Sequence, residues 1–375
     1  MTPRLLPRDL EPFVLGAVLL GSGGGGEASL YLPRLRAALP ADGVELVSLA
    51  EAATRGLRTV VAVGMIGATS VLTEKLPHGG EIGEAVAAAR RWSGLEIDAL
   101  IPVEAAGLNA ALAVAAAAEL SLPLVDADLM GRALPRFDQL SLVVEAPELL
   151  RSAALSEPGG QVLVIDRSSP IGLERTVRAY VSHAGGWAAA AFGPMSTAAL
   201  QGRSCEGTLA RGLDLGRRLR SVADPSEAAL VATTLGGIPL AAGRVLEIER
   251  LPTSSFARAS VAILDRTGPL LRIEAENEYL VALRDGEPVV TCPEILVVLD
   301  RRTGQPISVD RLRVGDDVQV VALPGPAWWR ATPSRLEAVS PRAFGIDLPP
   351  VLLPPTAETT VGPAPALDLA VGAEQ

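Results

Sequence analysis

The stretches IDALIPVE (97–104), LNAALAVAAAAEL (108–120) and LPLVDAD (122–128) decide the fold. The first and third are apolar runs of strand length, and the second is an alanine- and leucine-rich run of helix length. Strands without polar alternation, joined by such a helix, indicate a mostly parallel sheet covered on both faces. Upstream, GVELVSL (43–49) and TVVAVGMIGA (59–68) read as further strands, and Glu81 to Trp92 as a helix. From Val44 to Asp128 the expected order is therefore β, β, α, β, α, β. Before it, Asp9 can cap a helix whose apolar positions Leu10, Phe13, Val14, Ala17 and Val18 recur at helical spacing. That helix runs into Gly21-Ser22-Gly23-Gly24-Gly25-Gly26, and a second helix follows from about Ala28 to Leu39.

After Gly160 the character changes. A strand, QVLVIDR (161–167), and a helix, LERTVRAYVSHAGG (173–186), precede WAAAAFGPMS (187–196), which is a strand or a short buried helix. Gly207 to Val222 is an amphipathic helix, and its Arg211, Arg217, Arg218 and Arg220 read as a solvated face. Beyond Ile238, short strands alternate with turns: GRVLEIERL, ARASVAIL, LLRIEAENEYLVAL, EILVVLD and DVQVVAL. The fold class is thus an α/β parallel-sheet N-terminal domain with a mainly antiparallel β C-terminal domain. Residues 1–165 form the first, residues 166–350 bridging helices and the β domain, and residues 351–375, rich in Pro, Ala and Thr, a disordered tail.

Composition narrows the function. The 375 residues are 49% hydrophobic and 20% charged, which suits packed domains. A net charge of −10 argues against nucleic acid as a partner, since phosphate contacts need clustered Lys and Arg. No apolar run is long enough to cross a membrane. The opening MTPRLLPRDLEPF is charged where a secretory signal is apolar, and two distant cysteines, Cys205 and Cys292, make no disulfide framework. A cytoplasmic protein with a small-molecule substrate is expected.

Three constellations can carry chemistry. Gly21, Gly23 and Gly26 satisfy G-x-G-x-x-G, but a helix stands where a dinucleotide fingerprint needs a strand, and Glu27 breaks the phosphate-loop pattern. The loop Gly23, Gly24, Gly25 and Gly26 then either presents backbone N–H groups to an anion or carbonyl, or serves close packing. Glu104 ends one strand and Asp126 and Asp128 end another. In an open parallel sheet such strand ends meet at one crevice, joined here by Asn109. Grouped carboxylates need a cation, a proton or an arginine such as Arg132 between them. A divalent metal held by Glu104, Asp126 and Asp128, with His78 as added ligand, is one way to meet that need. Alternation along one continuous strand places Glu276 and Glu278 on one face and Asn277 on the other. Cys205, just before a helix, reads as an inert buried thiol rather than a reactive one.

These pieces form a resemblance. LGSGGGGEASLYLPRL, GMIGATSVLTEKLPHGGE, IDALIPVEAAGLNAAL and LPLVDADLMGRALPRF resemble, in order and spacing, the N-terminal domain of the S-methyl thiohydantoin desulfurase-like family. GPMS, GTLARGLDLGR, EAENEYLVAL, PEILVVLD and PRAFGID are similar to its C-terminal domain, so the resemblance runs to about Leu348. It implies removal of methanethiol from an S-methylated thiohydantoin or, more broadly, hydrolysis of a cyclic amide-like or amidine-like ring. The positions matching the family's motifs add Lys75, Arg132, Glu276, Asn277 and Glu278 as substrate contacts. The chain departs from the pattern at Ala106-Gly107, Leu129 and His78, which bears on the substrate. The alternative is a non-catalytic small-anion-binding role, or a partner subunit of a hydantoinase- or oxoprolinase-type enzyme. A homo-oligomer is a further expectation.

Overall fold

A computed structural model describes residues 3–68, 71–72, 74–251 and 258–354. The expected disordered tail lies outside the described residues from 355 onward.

The first sheet has eight strands, in the spatial order Arg4–Leu5, Val44–Val47, Leu124–Val125, Ala99–Pro102, Thr59–Gly67, Trp187–Ser196, Ala153–Ser156 and Val162–Ile165. The four strands from Val44–Val47 to Thr59–Gly67 run parallel to one another. The outer neighbours pair antiparallel, so the sheet is mixed around a parallel centre. Successive residues of Thr59–Gly67 feed cores on opposite faces, Val61 and Val63 on one and Val60 and Ala62 on the other. That double burial is why its sequence shows no polar alternation. Trp187–Ser196 is a strand, buried throughout except at Pro194 and Ser196. It comes from the stretch after Gly160 and lies beside Thr59–Gly67, with Gly67 opposite Trp187 and Thr59 opposite Ser196.

LPLVDAD is not one strand. Leu124–Val125 stays in the large sheet, whereas Ala127–Asp128 pairs with Cys205–Glu206 in a separate two-stranded ribbon. The second large sheet has seven strands, all antiparallel, from Glu287–Thr291 at one edge to Ile295–Asp300 at the other. LLRIEAENEYLVAL, read as one strand, is two: Leu270–Glu276 and Glu278–Arg284 meet at Asn277. Asn277 takes a φ of 58°, in the left-handed region that a short polar side chain tolerates and a continuing strand does not. Glu276 and Glu278 therefore face each other across a turn.

The glycine loop joins the two sheets. Helix Leu10–Leu20 delivers the chain to Ser22, whose carbonyl accepts from Tyr279 N at 2.7 Å. Ser22 Oγ accepts from Leu296 N at 3.0 Å, and Gly23 O accepts from Val309 N at 3.0 Å. On the other side Gly25 O accepts from Leu108 N at 2.8 Å, at the start of helix Gly107–Leu120. Among the described residues no helix is long and apolar enough to cross a membrane.

Candidate functional site

Between the two sheets lies a cleft of about 1150 Å³. Its lining includes the loop Gly23 to Gly26, Glu104, Asn109, Asn277 and Glu278. Gly23, Gly25 and Gly26 have φ values of 84°, 71° and 78°, a backbone that favours glycine. Gly24 serves a different need. A Cβ there would stand 2.6 Å from Cγ and Cδ of Glu278, so the loop is packed directly on that side chain. The close-packing reading of the glycine run thus applies at Gly24, and at Gly23, where a Cβ would run into the Tyr279 ring.

Glu104 follows strand Ala99–Pro102, and Asn109 sits in the first turn of the next helix. Asn109 Oδ1 accepts from Met65 N at 2.7 Å, which turns its Nδ2 toward Glu104 Oε1, also at 2.7 Å. Glu104 is only 8% exposed. Burial pushes its carboxyl up to about 8, against the opposing bond from Asn109 and with the help of nearby Asp128. Glu278 is buried as well, and its Oε2 has no hydrogen-bond partner among the described residues. Burial raises its pKa well above the usual range, and the charge of Glu104 adds to the rise. The Arg132 guanidinium and the amides of Gly25 and Glu278 pull the other way. Two buried carboxyl groups, both held toward the protonated form, share this wall.

The remaining expected residues have other work. Asp128 is fully buried behind the cleft, where its carboxylate accepts from the amides of Ala105, Met130 and Gly131. Burial pushes it up to about 7 while those amides oppose. Asp126 accepts from Leu209 N at 2.8 Å and Ala210 N at 3.2 Å, which closes the start of helix Thr208–Arg220. The break between the two short strands sends the two aspartates to different destinations. His78 lies in another loop, with Nδ1 accepting from Gly80 N and its ring near Glu81 and Glu84. Glu104, Asp126, Asp128 and His78 do not form one ligand set. Among the described residues no group of three or more His, Cys, Asp or Glu side chains is arranged to hold a metal ion. Both oxygens of Asp128, and Oδ1 of Asp126, are already committed to backbone amides.

Lys75 does not line the cleft; its Nζ pairs with Glu157 at 2.6 Å and also donates to Ala184 O. Arg132 is fully buried and donates to the carbonyls of Ala133, Tyr279 and Glu294, so it ties the two sheets together. Glu276, opposite Glu278, accepts from both Arg136 and Arg258. Cys205 is buried with its thiol pushed well up, an inert group. Sequence reasoning missed the arginines of the cleft, Arg136, Arg250 and Arg258 among them, and the paired rings of Phe137 and Phe192, 5.3 Å apart. Arg136 does stand inside a motif quoted above, LPRF, but arginine is common throughout this chain and gave no contrast.

Fold and site define a protein of an α/β sheet and an antiparallel β sheet, with a buried pair of carboxyl groups in the cleft between them. The S-Me-THD-like N-terminal domain matches residues 8–167 and the S-Me-THD-like C-terminal domain residues 168–352. The chain belongs to this family, that of S-methyl thiohydantoin desulfurase-like proteins. The solved structure of a protein from Chromobacterium violaceum is similar, with 25% identity and a TM-score of 0.73 over 93% of this chain and 100% of that one. No curated protein matches the chain.

Proposed function

We propose that this chain is a hydrolase of a small cyclic amide-like or amidine-like ring, with an S-methylated thiohydantoin as the model substrate. One observation carries the reading: Glu104 and Glu278, both buried, face the same cleft beside the glycine loop, and the charge of Glu104 opposes ionisation of Glu278. Hydrolysis of a methylthio-substituted C=N carbon needs a base for water and an acid for the leaving group. Water adds across the ring C=N bond: the ionised Glu104 takes one of its protons and passes it to the ring nitrogen. The carbon–sulfur bond then breaks, the protonated Glu278 supplies the proton that leaves with sulfur, and the added hydroxyl gives its proton back to the carboxyl pair as the ring carbon becomes a carbonyl. Methanethiol and a hydantoin are the products. Asn109 holds Glu104 in place, since its own amide is fixed by Met65 N. Tilted Phe137 and Phe192, with Met65 and Met130 in the same lining, offer an apolar wall to a flat ring. The family membership agrees with a thiohydantoin link.

The test is release of methanethiol from an S-methylated thiohydantoin by the wild type, Glu104→Gln and Glu278→Gln. Each variant is expected to lose at least about 10²-fold in kcat, the scale of general acid–base catalysis. Wild-type turnover unchanged in both variants would remove the acid–base assignment.

A further inference from the structure

The chain carries a net charge of −10, yet Arg136, Arg250 and Arg258 all line the cleft, and two of them meet at Glu276 of the Glu276–Asn277–Glu278 turn. Arg136 donates to Glu276 through Nε at 2.9 Å and Nη2 at 3.1 Å, and Arg258 through Nε at 3.0 Å. One carboxylate thus answers two guanidinium groups, and the three side chains together keep one positive charge. Glu276 has both oxygens occupied and a side chain only 4% exposed. Arg258 is 46% exposed and spends Nη2 on Phe344 O, which leaves Nη1 without a partner among the described residues. Arg250, on the adjacent strand with Ala259 opposite it, also lines the cleft and donates to two neutral carbonyls, Val309 O and Leu312 O. An uncompensated cluster of this kind, fixed in direction by its own hydrogen bonds, suits a carboxylate, which the guanidinium fork binds with two bonds.

We propose that Arg136 and Arg258, with Arg250 beside them, form a subsite for a carboxylate substituent on the ring that Glu104 and Glu278 act upon. Glu276 is then a positioning residue, holding the two guanidinium groups apart from Glu278. The turn puts the cationic and acidic sides one residue apart, so one small molecule reaches both. This subsite deepens the proposed function and rests on it for the identity of the ring.

The experiment is calorimetric binding of hydantoin-5-acetate, 5-methylhydantoin and succinate to the wild type, Arg258→Gln and Arg258→Lys. Arg258 is half exposed and Arg136 still pairs with Glu276 when it is replaced, and thermal unfolding of both variants separates lost binding from lost folding. Hydantoin-5-acetate is expected to bind the wild type about tenfold or more tighter than 5-methylhydantoin, the worth of one charge-assisted hydrogen bond. Arg258→Gln removes most of that preference, Arg258→Lys retains part of it, and added salt narrows it. Equal binding of the two hydantoins to the wild type, or a preference untouched in Arg258→Gln, overturns the subsite and leaves the ring chemistry standing. Succinate binding as tightly as hydantoin-5-acetate, and weakening in Arg258→Gln, supports the subsite while removing the ring from the proposal.

Discussion

Glu276 and Glu278 stand directly opposite each other across a one-residue turn, yet their carboxyl groups meet opposite surroundings. Glu276 is answered by Arg136 and Arg258, whereas Glu278 lies near Glu104 with one oxygen lacking a hydrogen bond among the described residues. The same substitution should therefore cost unequal amounts at the two positions. Glu276→Gln leaves two cations facing one another and should destabilise the fold by about 1–3 kcal/mol, the partial exposure of both arginines keeping the figure low. Glu278→Gln removes a buried acid that resists ionisation and should leave stability within about 1 kcal/mol of the wild type. Thermal unfolding of the two variants side by side decides the matter; equal losses would contradict the asymmetry.

The pH profile should carry the mark of Glu104. Its base form appears as pH rises toward about 8, so kcat/KM should climb across neutral pH. Stability moves the other way. Between the unfolded value of 4.5 and about 8 the folded protein keeps the proton that the unfolded chain releases, so stability falls as pH rises through that window. Glu104→Gln cannot ionise, and its melting temperature should depend less on pH from 5 to 8 than that of the wild type. Identical slopes would mean that Glu104 is not the protonated group.

Asp128 should behave as a structural acid. Its carboxylate receives three backbone amides, and an asparagine would turn an NH₂ group toward at least one of them. Asp128→Asn is expected to lose about 1–3 kcal/mol, read as a lower denaturation midpoint with an unchanged slope. A variant that is fully stable and inactive would instead return Asp128 to the catalytic group.

Gly24→Ala probes the contact between loop and acid. The added methyl would stand 2.6 Å from Cγ and Cδ of Glu278, so that side chain must shift within a buried site. Activity should drop about 10²-fold or more, since an ångström of displacement at a reacting group costs that much. Circular dichroism should stay that of the wild type. Full activity in Gly24→Ala would detach Glu278 from the chemistry.

The α/β and antiparallel β classes were legible because period and apolar content report burial directly. IDALIPVE and TVVAVGMIGA are apolar at every position that faces either core, and no other element fits them. What escaped notice was where strands break. Nothing in the local pattern of LLRIEAENEYLVAL marks Asn277 as a left-handed turn, since its flanks keep the same composition on both sides. Likewise the amides that claim Asp126 belong to Leu209 and Ala210, far along the chain, and no spacing rule reaches that far. Glu104, Asn109 and the glycine loop were found because each lies where a strand or helix ends. The arginines were missed because a cleft between two sheets is a property of their docking, which a linear pattern does not encode.

Trp187–Ser196 sits against Thr59–Gly67 in the middle of the first sheet, although the family boundary falls before it, at residue 167. During synthesis, strand Thr59–Gly67 leaves the ribosome with one flank bare. It stays so until the matching segment of the following domain has been translated. The first half is therefore expected not to fold on its own, and a pause or cut at residue 167 would strand an open apolar strand edge of the kind that recruits other chains. Completion of the first sheet thus waits on the synthesis of the second half.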